Sequence, residues 1–239
     1  MSEDVRVLLW DIDGTLIRSA RREAFKEYTV PVLERVFGTA GRLRELSVSG
    51  MTDLQIVAEA LRDEGFTPRQ IRARLRELRE SYIAALTRAA SEGAEPLFQL
   101  LPGAREILEA AEAHPRYVSA LLTGNIEQAA RLKMKAVGLS RFFQLPGAFG
   151  DDSHDRRDLP ALAAERIARR LELKLRPAQF IVIGDTPNDI SCARHFGARV
   201  VAVGSGRSHG IETLRPHNPD AILPDLADTH RVIRAFDAL

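Results

Sequence analysis

The sequence lacks the features that mark several large classes of protein. It has a single cysteine, Cys192, which excludes an intramolecular disulfide framework and is compatible with a reducing compartment. No apolar run approaches the roughly 18 uninterrupted residues that a membrane span needs. Asp4 and Arg6 interrupt the start of the chain, and the apolar run that follows is too short for the core of a secretory signal. We therefore expect a cytoplasmic protein that has no membrane partner.

A strong net charge is also missing. The 34 basic and 33 acidic side chains give a formal net charge of +1, so no overall field points to a nucleic-acid partner. No internal repeat and no low-complexity segment is present, and a hydrophobic content of 45% is ordinary for a globular protein. A length of 239 residues allows one large core, or a core with a small insert. These features favour a small-molecule partner and leave open a monomer or a homodimer.

Two carboxylates follow the first apolar run of the chain. Residues 5–10 read as a buried parallel strand, and Asp11, Asp13, Gly14 and Thr15 come directly after it. Carboxylates at the end of a core strand are poorly solvated, so two of them this close repel each other unless a cation or a shared proton neutralises them. Magnesium prefers hard oxygen ligands, and it is therefore the cofactor that the pattern favours.

Two further apolar runs end in polar residues of complementary chemistry. Residues 179–184 lead into Asp185 and Asp189, and residues 117–122 lead into the Thr-Gly-Asn segment at 123–125. A hydroxyl and backbone N–H groups at the start of a helix can hold a phosphate. In an open α/β sheet, groups that follow parallel strands meet in the crevice outside the carboxyl ends of the strands. The three strand ends therefore predict one shared site.

The order and strand context of these motifs resemble the haloacid dehalogenase-like (HAD) superfamily, and within it the phosphatases similar to phosphoglycolate phosphatase. DIDGT at residues 11–15 matches the family's DxDGT motif, Thr123 ends the strand of the second motif, and GDTPND at residues 184–189 matches GDxxxD. The resemblance implies an α/β fold, with a Rossmann-like doubly wound parallel sheet as its core and an inserted all-helical cap domain. It also implies an enzyme, a HAD-like phosphoric monoester hydrolase.

The inserted cap is assigned to residues 18–97, which leaves residues 1–17 and 98–239 for the catalytic core. The stretch from about residue 18 to residue 97 is too long for a simple crossover and contains helical patterns with little strand signal. By resemblance, such a cap closes over the acids and excludes water.

Periodicity and capping signals predict the helices of the cap. Helices are expected over residues 24–37 and 52–64. A third is expected to begin at the N-cap Thr67 and to end near Gly93. In the core we expect a helix after Pro102 and Gly103 through residue 113, a strand over residues 199–203 and a terminal helix over residues 226–239.

The requirements of phosphomonoester hydrolysis and the resemblance together suggest separate roles for the acids. Asp11 would be the nucleophile, whose carboxylate forms an aspartyl-phosphate. Asp13 would protonate the leaving oxygen and then deprotonate the attacking water. Magnesium would be bound by the Asp11 carboxylate, the backbone carbonyl of Asp13 and the Asp185 carboxylate. Asp189 would hold a water on the metal, or the basic side chain of the site.

The phosphate itself is expected to be held by donors of the second motif and by one basic side chain. The donors would be the Thr123 hydroxyl and the backbone N–H groups of Gly124 and Asn125. Their role is electrostatic, since they stabilise a charge already present and fix the geometry in which the phosphoryl group moves.

The basic side chain is harder to assign. Related phosphatases often carry a lysine followed by proline at this point, and residues 149–160 contain no lysine. Arg156 is the first choice in this stretch and Arg157 is the second. Lys133 and Lys135, on the helix just after the second motif, are competitors.

The sequence thus predicts a magnesium-dependent phosphatase that hydrolyses a small phosphomonoester through an aspartyl-phosphate, and by resemblance 2-phosphoglycolate is the lead substrate. Four other functions compete with this one, and all but the dehalogenase stay open. A phosphosugar mutase would use the same intermediate, and a phosphonatase would need a cap lysine, of which Lys26 is the only one. A haloacid dehalogenase needs neither Asp13 nor magnesium. A non-catalytic switch module that binds magnesium or phosphate has no need of the acid at Asp13.

Overall fold

The computed structural model describes residues 5–92 and 95–239. The first four residues and Gly93, where the third cap helix is predicted to end, lie outside the described residues. The strands are β1 (Arg6–Trp10), β2 (Ile17–Ser19), β3 (Phe98–Leu100), β4 (Tyr117–Leu121), β5 (Phe180–Gly184), β6 (Arg199–Val203) and β7 (Ala221–Leu223). Five of them form a parallel sheet in the order β4-β1-β5-β6-β7, and β2 pairs with β3 in an antiparallel ribbon.

Helices fill the intervals between the strands. In chain order they are α1 (Ala24–Phe37), α2 (Asp53–Ala60), α3 (Pro68–Ala73), α4 (Leu75–Ser91), α5 (Ala104–Ala113), α6 (Glu127–Ala136), α7 (Leu159–Leu171), α8 (Pro187–Phe196), α9 (Ile211–Leu214) and α10 (Thr229–Asp237). Among the described residues, no helix has the length and apolar content that crossing a membrane requires.

The register of the sheet brings the predicted site segments to one edge. Trp10, the last residue of β1, pairs with Leu121 of β4 and Ile183 of β5. The backbone N–H of Asp11 donates to the Ile183 carbonyl at 2.9 Å, and that of Leu122 donates to the Trp10 carbonyl at 2.9 Å. The residues that follow these three strands therefore leave the sheet side by side, as the carboxyl ends of parallel strands do.

Both faces of the sheet are covered, which explains why its strands are continuous apolar runs. Leu8 and Trp10 belong to a buried cluster that includes residues of α5 and α10. Val7 and Leu9, on the other face, belong to a second cluster with residues of α7 and α8, including the buried Cys192. The predicted α/β class with a parallel core sheet is confirmed.

The chain leaves the core after β1 and returns to it through the β2–β3 ribbon. Ile17 pairs with Leu100, and Ser19 pairs with Phe98. The described residues between the two strands contain helices and no strand, and α1 packs on α4, with the Tyr28 and Tyr82 rings 5.6 Å apart. The predicted boundaries at residues 18 and 97 fall at this ribbon, and the division into core and cap stays a prediction.

Several elements differ in detail from the sequence-based expectation. The helix predicted over residues 52–64 is α2 followed by a 3-10 turn at Arg62–Glu64, and Gly65 then ends it in a left-handed conformation. The capping box at Thr67 is present, but the helix it begins stops at Arg74, where ψ is 11°, and α4 starts again at Leu75. The terminal helix begins at Thr229, three residues later than expected, because the Asp228 side chain caps it.

Candidate active site

Three buried carboxylates meet at the carboxyl edge of the sheet. One oxygen each from Asp11, Asp185 and Asp189 lies within 4.8 Å of the others. Burial raises the pKa of Asp11 to about 7, although the Arg156 cation opposes the shift. Burial and the neighbouring Asp11 and Asp189 carboxylates raise the pKa of Asp185 well above its ordinary range. Such a cluster is stable in its charged form only beside cations.

Asp185 and Asp189 differ in how many hydrogen bonds they accept from the protein. Asp189 accepts hydrogen bonds on Oδ2 from the Thr186 backbone at 3.0 Å and hydroxyl at 2.7 Å, and on Oδ1 from Arg156 Nη2 at 2.5 Å. Asp185 accepts a long hydrogen bond from Thr15 Oγ1 at 3.4 Å. The oxygens of Asp185 are therefore more available to a metal ion, whereas those of Asp189 are occupied by the protein.

The turn after β1 fits closely around Asp185. Gly14 has a φ of +93°, and a Cβ atom placed on it would lie 2.2 Å from Asp185 Oδ2. The left-handed conformation and the close approach both require glycine. The glycine of the DIDGT motif is therefore required by the same close packing that surrounds the Asp185 carboxylate.

Arg156, and not Arg157, reaches the acids. Its Nη2 donates to Asp11 Oδ1 at 3.0 Å and to Asp189 Oδ1, and its Nη1 donates to the Gly50 carbonyl at 3.2 Å. Burial would lower the pKa of Arg156, but the two carboxylates outweigh burial and raise it. Arg157 is exposed and pairs with the adjacent Asp155 at 2.6 Å.

The Thr123 segment presents fewer free donors than expected. Thr123 Oγ1 is buried and accepts hydrogen bonds from the Asn125 backbone N–H at 3.3 Å and from Asn125 Nδ2 at 2.8 Å. Its own O–H remains able to donate to a phosphate oxygen. Within the described residues the Gly124 N–H has no protein acceptor, whereas that of Asn125 is already engaged.

Asp13 belongs to a separate cluster around Lys133. Its Oδ2 accepts from Asn125 Nδ2 at 2.7 Å and from Lys133 Nζ at 2.6 Å, and Lys133 Nζ also donates to Asn125 Oδ1 at 2.6 Å. Burial would lower the pKa of Lys133, but Asp13 and other neighbours raise it. Lys135 is exposed. A sequence signal for Lys133 existed, because it shares the buried face of α6 with Met134 and two alanines.

Asp53 is a buried acid that the sequence analysis did not single out. Its backbone N–H donates to the Gly124 carbonyl at 2.7 Å, and its Oδ2 accepts from the Ile126 N–H at 2.7 Å. Burial raises the pKa of Asp53 to about 7. Because it follows the N-cap Thr52, it has the sequence signature of an ordinary first-turn acid. The segment between the ribbon strands thus touches the Thr123 segment directly.

A cavity of about 390 Å³ lies beside the two clusters. It is lined by Asp11, Asp13 and Asp185, by the Thr123 segment, by residues between the ribbon strands and by the loop after β6. Arg18, Arg22 and Arg207 line it as well, and within the described residues none of these three has a carboxylate partner. Lys26 also lines the cavity, but its Nζ donates to the Arg44 carbonyl at 2.7 Å.

Comparison with known proteins places the chain in a family. The family model described as haloacid dehalogenase-like hydrolase matches residues 8–194, so the chain belongs to this family. It is 28% identical over 224 residues to a phosphoglycolate phosphatase of Pectobacterium atrosepticum, covering 94% of this chain and 90% of the relative. The predictions of the HAD superfamily and of a HAD-like phosphoric monoester hydrolase are confirmed.

Solved structures share the fold at lower identity. A protein described as a predicted phosphoglycolate phosphatase from Haemophilus somnus 129PT superposes with a TM-score of 0.65 at 21% identity, over 96% of this chain and 98% of that one. CbbY from Rhodobacter sphaeroides, in complex with xylulose-1,5-bisphosphate, has a TM-score of 0.65 at 19% identity, over 94% and 96% of the two chains. These similarities show the fold alone.

Proposed function

We propose that this chain is a magnesium-dependent phosphatase that hydrolyses a small phosphomonoester through an aspartyl-phosphate on Asp11, with 2-phosphoglycolate as the lead substrate. Residues 1–17 and 98–239 form the catalytic core, and residues 18–97 form the cap. The observation that carries the proposal is the convergence of a buried carboxylate cluster, a buried arginine and the Thr123 segment on one cavity.

The acid cluster fits a magnesium ion. Its donors are hard carboxylate oxygens, and Asp185 retains oxygens that the protein leaves weakly bound. The carboxylates of Asp11 and Asp185 and the backbone carbonyl of Asp13 would hold the ion, while Asp189 keeps Arg156 in place. When bound, magnesium offsets the negative charge of the phosphate and of the carboxylates.

Transfer of the phosphoryl group divides between the two acids of the first motif. A carboxylate oxygen of Asp11 forms a bond to phosphorus while the bond from phosphorus to the ester oxygen breaks. The ester oxygen takes the proton of the Asp13 carboxyl group, and the alcohol leaves. Arg156 and the Thr123 hydroxyl hold the non-bridging oxygens, because both lie on the same cavity as Asp11.

Hydrolysis of the aspartyl-phosphate reverses the role of Asp13. Its carboxylate takes a proton from water as the water oxygen attacks phosphorus, and the Asp11–phosphorus bond breaks. Phosphate is released, and both acids return to their starting states. Asp13 suits this role because its side chain is 39% exposed, whereas that of Asp11 is 7% exposed.

The cations of the cavity favour a leaving group that carries a carboxylate. The guanidinium groups of Arg18, Arg22 and Arg207 have no carboxylate partner among the described residues, so they suit a substrate that carries a carboxylate as well as a phosphate. The relative from P. atrosepticum is named phosphoglycolate phosphatase, and 2-phosphoglycolate has this charge pattern. Lys26 is held by the Arg44 carbonyl, which makes it a poor candidate for the Schiff base of a phosphonatase.

The test is phosphate release from a panel of phosphomonoesters, with and without magnesium. The panel includes 2-phosphoglycolate and ethyl phosphate, which differ by the carboxylate. We expect magnesium-dependent release that is abolished in Asp11→Asn and retained in Asp155→Asn, an acid-to-amide control in the exposed loop. The highest kcat/KM is expected for 2-phosphoglycolate.

Other outcomes of this test identify the alternatives. Isomerisation of a sugar phosphate that requires a bisphosphate, without net phosphate release, would point to a phosphosugar mutase. Phosphate release from phosphonates, or halide release from 2-haloacids, with no phosphate release from phosphomonoesters, would point to a phosphonatase or a dehalogenase, respectively. Stoichiometric phosphorylation without turnover would point to a switch module and contradict the proposal.

A further inference from the structure

We propose that Lys133 is a positioning residue for Asp13: together with Asn125 it fixes the carboxyl group so that Oδ1 is the oxygen that passes the proton. The inference rests on the proposed function, in which Asp13 is the acid and base. Lys133 entered the sequence analysis only as a competitor for binding phosphate.

Both protein donors of Asp13 converge on the same oxygen. Asn125 Nδ2 lies 2.7 Å from Oδ2, and Lys133 Nζ lies 2.6 Å from it. Within the described residues no protein donor reaches Oδ1. An oxygen that accepts two N–H bonds has little room for a proton of its own, so a protonated Asp13 carries its proton on Oδ1.

Lys133 can act as a fixed support because it is itself held tightly. Its side chain is 3% exposed, against 39% for Asp13. Nζ donates to Asn125 Oδ1 at 2.6 Å and lies 5.5 Å from the centre of the Phe98 ring. A half-exposed carboxylate would otherwise sample several rotamers, and an acid must lie within hydrogen-bond reach of the ester oxygen to transfer its proton.

The same contacts argue against a phosphate-binding role for Lys133. Two of its three N–H groups are used by Asp13 and Asn125. Arg156, in contrast, donates a hydrogen bond to Asp11, the proposed nucleophile. We therefore assign Arg156 to the phosphate and Lys133 to the acid.

The leaving group provides the test. An alkyl phosphate needs a proton on its departing oxygen, whereas p-nitrophenyl phosphate releases a stable anion that needs none. In Lys133→Met, kcat/KM for 2-phosphoglycolate should fall about 100-fold, within the range for loss of an effective general acid, and kcat/KM for p-nitrophenyl phosphate less than about 10-fold. kcat/KM is the suitable readout, because it reports steps up to the first cleavage and not hydrolysis of the aspartyl-phosphate.

Control variants distinguish a positioning role of Lys133 from a general loss of structure. Lys135→Met, on the exposed side of the same helix, should leave both substrates unchanged. In an Asp13→Asn background, Lys133→Met should add no further selectivity between the substrates, because the two residues act as one unit. If Lys133→Met does not fold, Asn125→Ala removes the other donor and should show the same selectivity.

Three results would overturn the assignment. An equal loss for both substrates would make Lys133 a structural residue. A selective rise in the inhibition constant of inorganic phosphate, with no leaving-group effect, would make it a phosphate ligand. An unchanged enzyme would show that Asp13 needs no such support. Failure of the proposed function is distinct, because the unsubstituted enzyme would then release no phosphate from either substrate.

Discussion

Asp11 and Asp13 are separated by one residue, yet they lie in different surroundings. Asp11 is buried against Arg156, while Asp13 is partly exposed in the cavity and bound by Lys133. Each carboxylate thus has its own buried cation, and the two cations come from different parts of the chain. The comparison shows how one short motif supplies both a buried, fixed carboxylate and a more accessible one.

The difference begins in the backbone. β1 ends at Trp10, but the N–H of Asp11 still donates to the Ile183 carbonyl, which keeps Asp11 in line with the sheet. Asp13 lies in a turn, where the next N–H, that of Gly14, donates to the Ile17 carbonyl at 2.8 Å. Asp11 is therefore placed by the core, and Asp13 is placed by side-chain contacts.

Removing the cation on the Asp11 side should have the largest effect among substitutions outside the two acids. Arg156→Ala is expected to raise KM, to lower kcat and to reduce kcat/KM about 100- to 1000-fold, because the substitution removes the proposed phosphate donor, which also donates to Asp11. The measurement is steady-state hydrolysis of 2-phosphoglycolate.

Arg157→Ala is the matched control, since Arg157 is next in sequence and exposed. It should change kcat/KM little. The reverse pattern, with Arg157→Ala damaging and Arg156→Ala harmless, would move the phosphate-binding role by one residue and break the comparison.

The surroundings of Asp13 can be tested through Asp53. Its carboxylate accepts a hydrogen bond from the Ile126 N–H and so stabilises the turn that contains Asn125, a donor to Asp13. Asp53→Ala leaves the Ile126 N–H without its acceptor and should lower the free energy of unfolding by about 1–3 kcal/mol. Urea denaturation measures this change. Asp53→Asn keeps an oxygen acceptor and should lose less, whereas equal losses would show that the hydrogen bond is not what stabilises the turn.

The raised pKa of Asp53 also leads us to expect that the stability of the fold depends on pH. Its folded pKa of about 7 lies above the value of 3.8 for the free side chain, so the folded state holds the proton more tightly. The unsubstituted protein should therefore lose stability as pH rises from about 4 to about 7 through this group. Asp53→Asn should remove that part of the decline, and an identical pH profile in both proteins would contradict it.

The smallest effect is expected for the exposed pair next to Arg156. The hydrogen bond from Arg157 lowers the pKa of Asp155 to about 2, so this pair stabilises the fold above about pH 4 and loses that contribution as pH falls toward 2. Exposed pairs contribute little, and Asp155→Asn should lower Tm by less than about 2 °C at neutral pH. A much larger fall at neutral pH would show that this loop supports the Arg156 cluster.

What could be predicted from sequence lies at the strand ends. Asp11, Asp13, Asp185 and Thr123 follow apolar runs, and parallel sheets bring such positions together. The whole parallel sheet was predictable for the same reason, apart from β7. Strands of three residues, such as β2, β3 and β7, contain too few residues to show an alternating or continuous pattern.

The remainder of the site depends on contacts between distant residues. Lys133 is 120 positions from Asp13, and Asp53 is 73 positions from Ile126. Neither pairing has a local sequence signal, because it depends on how α6 and α2 pack against the sheet edge. The choice of Arg156 over Arg157 likewise depends on which of two adjacent side chains is turned inward.

The most direct test of the account is to find the phosphoryl group during turnover. With p-nitrophenyl phosphate and magnesium, acid quenching followed by peptide mass spectrometry should place a phosphoryl group on Asp11. The modified enzyme should accumulate in Asp13→Asn, where water activation is lost, and be absent from Asp11→Asn. Turnover with no modified peptide in any of these proteins, or a phosphoryl group on another residue, would contradict the division of roles between Asp11 and Asp13.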